Sequence, residues 1–200
     1  MAKTMREQFP VNVDANAIAA SANAAAKGRG PAPVHLWNPP HCGDLDMRIA
    51  RDGTWFYQGS PINRPAMVRL FSNILRKDGD HYVLVTPVEK VGITVEDVPF
   101  VSDDFTQTGT GQGQVLTFET HVGDMAVAGP ENPIRVEIDP ETDEPAPYIT
   151  VRANLEARIS RKAFYRLVDL AVHQEQDGES YFGVMSSGAF FPFLPSSALG

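Results

Sequence analysis

Cysteine is all but missing from this chain. Cys42 is the one thiol in 200 residues, which rules out an internal disulfide and any cysteine-rich zinc site. Long apolar runs are missing too. Nothing approaches the roughly twenty apolar residues of a spanning helix, and no strongly apolar stretch follows Lys3 and Arg6 as a secretory leader would require. A soluble cytoplasmic protein is therefore expected, with no membrane among its partners. Basic clusters are absent as well. Residues 1–100 carry 11 basic and 10 acidic groups, whereas residues 101–200 carry 6 and 15. An acidic second half repels a phosphate backbone, so no nucleic-acid polymer is expected as a partner.

The common catalytic signatures are absent: no Gly-x-Ser-x-Gly elbow, no Gly-x-x-x-x-Gly-Lys phosphate loop, no His-Glu-x-x-His. Gly109-Thr110-Gly111-Gln112-Gly113 lacks dinucleotide spacing and no helix follows it, so it reads as a hairpin tip. Asp44-x-Asp46 opens like a calcium loop, but Ile49 and Trp55 stand where that loop needs glycine and glutamate. His35, His41, His81, His121 and His173 show no metal-ligand spacing. No metal, no cofactor and no catalytic residue is assigned.

What the chain does contain is a repeat. Ile62–Phe71 and Ile159–Val168 agree at five of ten positions, 97 residues apart. Asp78-Gly79-x-x-Tyr82-x-x-Val85 recurs as Asp177-Gly178-x-x-Tyr181-x-x-Val184. That period suits a duplicated half-domain rather than a solenoid.

The parts around each copy agree. Leu45–Ile49 alternates apolar and polar, Asp52-Gly53 is a hairpin turn signal, and Thr54–Tyr57 favours a strand. Asn63 is placed to cap a helix with Met67, Leu70, Phe71, Ile74 and Leu75 on one face, Pro65 being tolerated in its first turn. Asp78-Gly79 ends that helix, and His81–Val85 returns as a strand. In the second copy, strands Ile134–Ile138 and Tyr148–Arg152 flank a long acidic turn at Asp139–Pro147. Ser160 caps a helix carrying Ala163, Phe164, Leu167, Val168 and Ala171 on one face; Tyr181–Met185 and Ala189–Phe193 follow as strands. The β-branched stretches Val88–Val101 and Val115–Val127 add strands between the copies. An alanine-rich helix is expected over Asp14–Lys27, capped by Asp14 and stopped by Gly28, with Leu36 and Trp37 pinning the linker behind it. The fold class is α+β, internally duplicated, each unit strand, strand, helix, strand on antiparallel sheets. Residues 1–42 form an N-terminal helix and linker, 43–110 the first half-domain and 111–200 the second.

Arg64 and Arg161 fall in the first turns of the matched helices, where the dipole disfavours a cation. Negative charge belongs beside them, either a carboxylate such as Glu156 or Asp46, or a bound anion.

Gly43–Tyr57 with Gly59-Ser60-Pro61-Ile62 closely resembles the opening signature of an uncharacterised bacterial family, the domain of unknown function numbered 1285. Thr86–Ile93 and Thr120–Asp124 resemble its later motifs. The resemblance implies a duplicated α+β core with a C-terminal half like a pleckstrin-homology fold. It also implies a ligand site at the interface between the halves for a nucleotide-like molecule, and a signalling role. The motif residues that could face such a ligand are Asp46, Arg48, Trp55, Tyr57, Glu89, Lys90, His121 and Asp124, and Arg152 adds a positive charge. Alternation sets Asp46 and Arg48 on one strand face, and Trp55 and Tyr57 likewise; a surface ion pair explains the first two equally well.

The expected function is thus a small-ligand binding module for a nucleotide-like or other anionic ligand. Two other classes remain open. One is an enzyme with Glu89 or Asp124 as general base and Lys90 or His121 assisting. The other is a ligand-free interaction scaffold with an exposed apolar patch near Phe190-Phe191-Pro192-Phe193.

Overall fold

A computed structural model of the chain describes residues 14–25, 31–139 and 144–199. These fall into two compact units, one formed by the residues up to Arg48 with Phe56–Thr94, the other by Ile49–Trp55 with Val95 onward.

The first unit opens with α1 (Ala15–Ala25). Asp14 Oδ1 accepts from the Asn16 amide at 3.2 Å, the cap its sequence position suggested. Only Ala15, Ile18 and Ala22 are buried, so the helix is stapled by one large side chain; its stop at Gly28 lies outside the described residues. After a 3-10 turn at Val34–Leu36 come β1 (His41–Ile49), β2 (Trp55–Tyr57) and β3 (Ser60–Pro61). Then α2 (Pro65–Asn73), β4 (Leu75–Asp78), β5 (His81–Val85) and β6 (Lys90–Val95) complete one six-stranded sheet in the order β3-β2-β1-β6-β5-β4. Leu45, Met47 and Ile49 are buried while Asp46 is exposed, as a half-buried strand requires.

The second unit holds β7 (Phe100–Ser102), β8 (Asp104–Thr108), β9 (Val115–Glu119) and β10 (Met125–Val127). There follow β11 (Ile134–Ile138), β12 (Pro145–Arg152), β13 (Leu155–Ile159), α3 (Arg161–Asp169), β14 (Val172–Gln176), β15 (Glu179–Ser186) and β16 (Ala189–Pro195). They make three sheets, β10-β9-β8, β11-β12-β13-β7 and β14-β15-β16. Pairing within them is antiparallel except between β13 and β7. Ser160 caps α3, its Oγ accepting from the Ala163 amide. The glycine-rich tip between β8 and β9 contains a 3-10 turn at Gly111–Gly113 and is tied down by Gln114, whose Nε2 donates to Met185 O at 2.7 Å.

The fold is α+β, and each unit sets strands before a helix and further strands after it; a third strand, β3 (Ser60–Pro61) in the first unit and β13 (Leu155–Ile159) in the second, stands between the expected strand pair and the helix. Four local expectations are corrected. First, α2 and α3 both end sooner than their apolar periods implied: Ile74 is the C-cap of α2, and Leu75 opens β4 opposite Leu84. Likewise α3 ends at Asp169 with Leu170 as its C-cap, which leaves Ala171 outside the helix and just before β14. The period misled because an apolar pair at a helix end can equally start a strand, and the pairing that decides is non-local. Second, α2 begins at Pro65 with Arg64, not Asn63, at the N-cap. Third, Leu36 is 72% exposed, so it does not pin the linker; Arg76 does, its Nη1 donating to Val34 O and Trp37 O at 2.7 Å each. Fourth, Phe191 and Phe193 are buried, which removes the apolar patch expected there.

Candidate functional site

In the first unit, β1 and β2 present a small pocket of about 180 Å³ lined by Leu45, Asp46, Met47, Arg48, Phe56, Gly59 and Thr94. Strand alternation explains the pair Asp46 and Arg48: Leu45 and Met47 turn into the core, so their neighbours turn out. The Arg48 guanidinium lies 4.2 Å from the centroid of the Phe56 ring. Such stacking fixes the plane of the guanidinium over the ring and is worth about 0.5–1 kcal/mol on a surface. Of the aromatic run, Phe56 therefore lines the pocket. Trp55 is core, at 1% exposure, and the Tyr57 hydroxyl donates to Asp14 Oδ1 at 3.3 Å. Phe56, Gly59 and Thr94 were missed by sequence reasoning; opposite-face alternation against Trp55 was the available signal for Phe56.

Lys90 and Glu89 are engaged elsewhere in the same unit. Lys90 Nζ donates to Asp78 at 3.0 Å, beside the bidentate Arg76–Asp78 pair, and the Ser21 hydroxyl donates to Glu89 at 3.4 Å. The Arg76 hydrogen bond, helped by Lys90 and opposed by burial, holds the Asp78 carboxyl down at about 2. Because the folded value lies below the unfolded one, this stabilisation is present above about pH 4 and is lost as pH falls toward 2. The carboxylate is 34% exposed, so after solvent screening the effect is roughly 1 kcal/mol. Urea midpoints measured across that range should fall with pH in the parent, and Asp78→Asn should flatten the slope. An unchanged slope in the variant would assign the pH dependence to other groups.

Asp124, Arg152 and His121 come together in the second unit. Arg152 pairs with Asp124, and its guanidinium lies 5.0 Å from the Phe100 ring centroid. Burial pushes the Arg152 value down, with Asp124 opposing. His121 Nδ1 accepts from the Val101 amide at 3.2 Å. Its ring packs closely on the Gly53 turn although the residue as a whole stays exposed, and desolvation of the packed side lowers its pKa. A further charged row crosses the sheet β11-β12-β13, where Arg135 is opposite Tyr148 and Tyr148 opposite Arg158. Arg135 binds Glu156, and Arg158 binds Asp97 at 2.6 Å. This network was also missed, although Arg135 with Glu137, and Glu156 with Arg158, are spaced two apart on strands. Arg161 has the structural carboxylate Glu144 beside it. Among the described residues no group of three or more His, Cys, Asp or Glu could hold a metal, and no helix is long and apolar enough to cross a membrane.

Two adjoining family profiles match this chain. The N-terminal domain of the domain of unknown function DUF1285 matches residues 32–98, and the C-terminal domain of the same protein of unknown function matches residues 99–193. The chain belongs to the DUF1285 family. A crystal structure of a DUF1285 family protein from Silicibacter pomeroyi is 64% identical, covering 91% of this chain and 97% of that one with a TM-score of 0.82. Another, from Shewanella baltica, is 25% identical and covers 62% and 91%, with a TM-score of 0.50. No curated protein matches. The boundary between the two DUF1285 profiles, at residues 98 and 99, lies close to the division between the units at Thr94 and Val95.

Proposed function

We propose that this DUF1285 protein is a binding module for a small anionic, nucleotide-like ligand whose occupancy is passed to a protein partner in bacterial signalling. The observation that carries the reading is the Arg48 guanidinium stacked on Phe56 in a pocket that also contains Asp46. An oriented fork suits a phosphate or carboxylate, and Asp46 would accept from ribose hydroxyls or base amino groups. The pocket, at about 180 Å³, is smaller than the 300–1,000 Å³ usual for a whole drug-sized ligand. It would therefore grip one part of the ligand, the phosphate or the base, and leave the remainder outside it. The pleckstrin-homology-like character expected of the C-terminal half belongs to the same proposal, as the part that meets the partner.

A thermal-shift screen of nucleotides and phosphorylated metabolites tests this. A true ligand at a hundred times its Kd adds about 2.7 kcal/mol to stability, an easily measured rise in Tm. Arg48→Ala should weaken binding about tenfold or more, the loss of a charged hydrogen-bonding anchor. If no compound stabilises the protein and calorimetry detects no binding heat, the reading fails.

A further inference from the structure

The second unit has its own pocket, of about 150 Å³, between the start of β12 and the first half of α3. Pro145 and Pro147 contribute from β12, Phe164 and Tyr165 from α3, and Arg158 and Arg161 supply positive charge. The volume equals roughly five liquid waters, room for one side chain and not for a nucleotide.

The two arginines are held differently. Arg158 is preset: it donates to Asp97 at 2.6 Å, and Asp97 also accepts from the Tyr148 hydroxyl at 3.1 Å. Arg161 makes an exposed pair with Glu144, the side chains being 66% and 55% accessible. Exposed pairs are worth about 0–1 kcal/mol, so that pair can open at little cost. Glu144 is an exposed carboxylate on the wall of a pocket of mixed charged and aromatic lining, set on the Arg161 guanidinium. It occupies the position that the acid group of an incoming molecule would take.

We propose that this pocket is a second binding site, for a carboxylate joined to an aromatic or branched apolar group, with Glu144 as the displaceable internal occupant. The apolar part enters among Pro145, Pro147, Phe164 and Tyr165, and the acid replaces Glu144 on Arg161. Free amphiphilic acids and the C-terminal residue of a peptide share this chemistry. The site is independent of the Arg48 pocket and stands or falls separately.

The probe is N-acetyl-L-phenylalanine, titrated into ¹⁵N-labelled full-length protein. Saturable shifts are expected at the amides of Arg161–Tyr165 and Glu144, with a Kd of roughly millimolar order, as befits a fragment-sized ligand. N-acetyl-phenylalaninamide should bind at least about tenfold more weakly. Glu144→Gln should bind the acid several-fold more tightly, by removing the competitor, and Arg161→Met should lose it. Glu144, Arg161 and Tyr165 are all exposed, so these substitutions leave the core intact. A hexapeptide ending in free phenylalanine distinguishes the sources: markedly tighter binding assigns a peptide C-terminus, equal binding a small acid. Absence of saturable shifts, equal binding of acid and amide, or no gain in Glu144→Gln overturns the proposal.

Discussion

Gly183→Ala should destabilise the second unit by about 3 kcal/mol, the upper range for overpacking. A Cβ at Gly183 would stand 2.2 Å from Phe191 O, and 2.8 Å from both Pro192 Cα and the Phe190 ring. Two of those three atoms are backbone, so no rotamer relieves the clash. Gly183 pairs with Pro192 where the β15–β16 register shifts; the irregular pairing lets the two backbones approach, and only glycine fills that approach. The control is Gly178→Ala, at φ +85° with open space around it, which should cost about 1 kcal/mol from backbone conformation alone. The neighbouring phenylalanine amides and ring protons, read by NMR during urea unfolding, report the β15–β16 pair directly. A Gly183→Ala midpoint no lower than that of Gly178→Ala would contradict this packing.

Arg152→Met is expected to cost about 2–3 kcal/mol. The guanidinium and the Asp124 carboxylate are 19% and 17% accessible, enough burial that the carboxylate left behind is stranded in a poorly solvating place. Methionine keeps the apolar stem while removing the guanidinium, its pair with Asp124 and its place over the Phe100 ring, so the double variant is needed to isolate the ion pair. Asp124→Asn on the same background should recover part of the stability, with a coupling of about 1 kcal/mol or more. Purely additive single and double variants would mean that the pair contributes nothing beyond its separate side chains.

Much of this architecture was legible because its determinants are local. The Asp177-Gly178 turn has both residues at positive φ, 52° and 85°, a conformation an Asp-Gly pair adopts most readily. Ser160 capped its helix and Leu45–Ile49 alternated as written. What escaped depended on partners distant in sequence. β4 carries Arg76 and Asp78, whose fixed positions rest on Lys90 and on carbonyls at Val34 and Trp37; no window around Ile74 contains that information. Asp46 and Arg48 were found together because a period of two sets them on one face. Phe56 was passed over for Trp55 and Tyr57 because alternation separates the two faces of a three-residue strand without saying which of them is the core face. Asp124 and Arg152, 28 residues apart, were each singled out, but their mutual neutralisation belongs to the folded chain.

The proposal that the first unit binds a small anionic ligand rests most directly on where that ligand touches. Titration of a nucleoside monophosphate, with inorganic phosphate in parallel, into ¹⁵N-labelled protein reads this residue by residue. The account predicts saturable shifts at Asp46, Met47, Arg48, Phe56, Gly59 and Thr94 that disappear in Arg48→Ala. Shifts confined to other residues, or shifts that persist unchanged in Arg48→Ala, would contradict it.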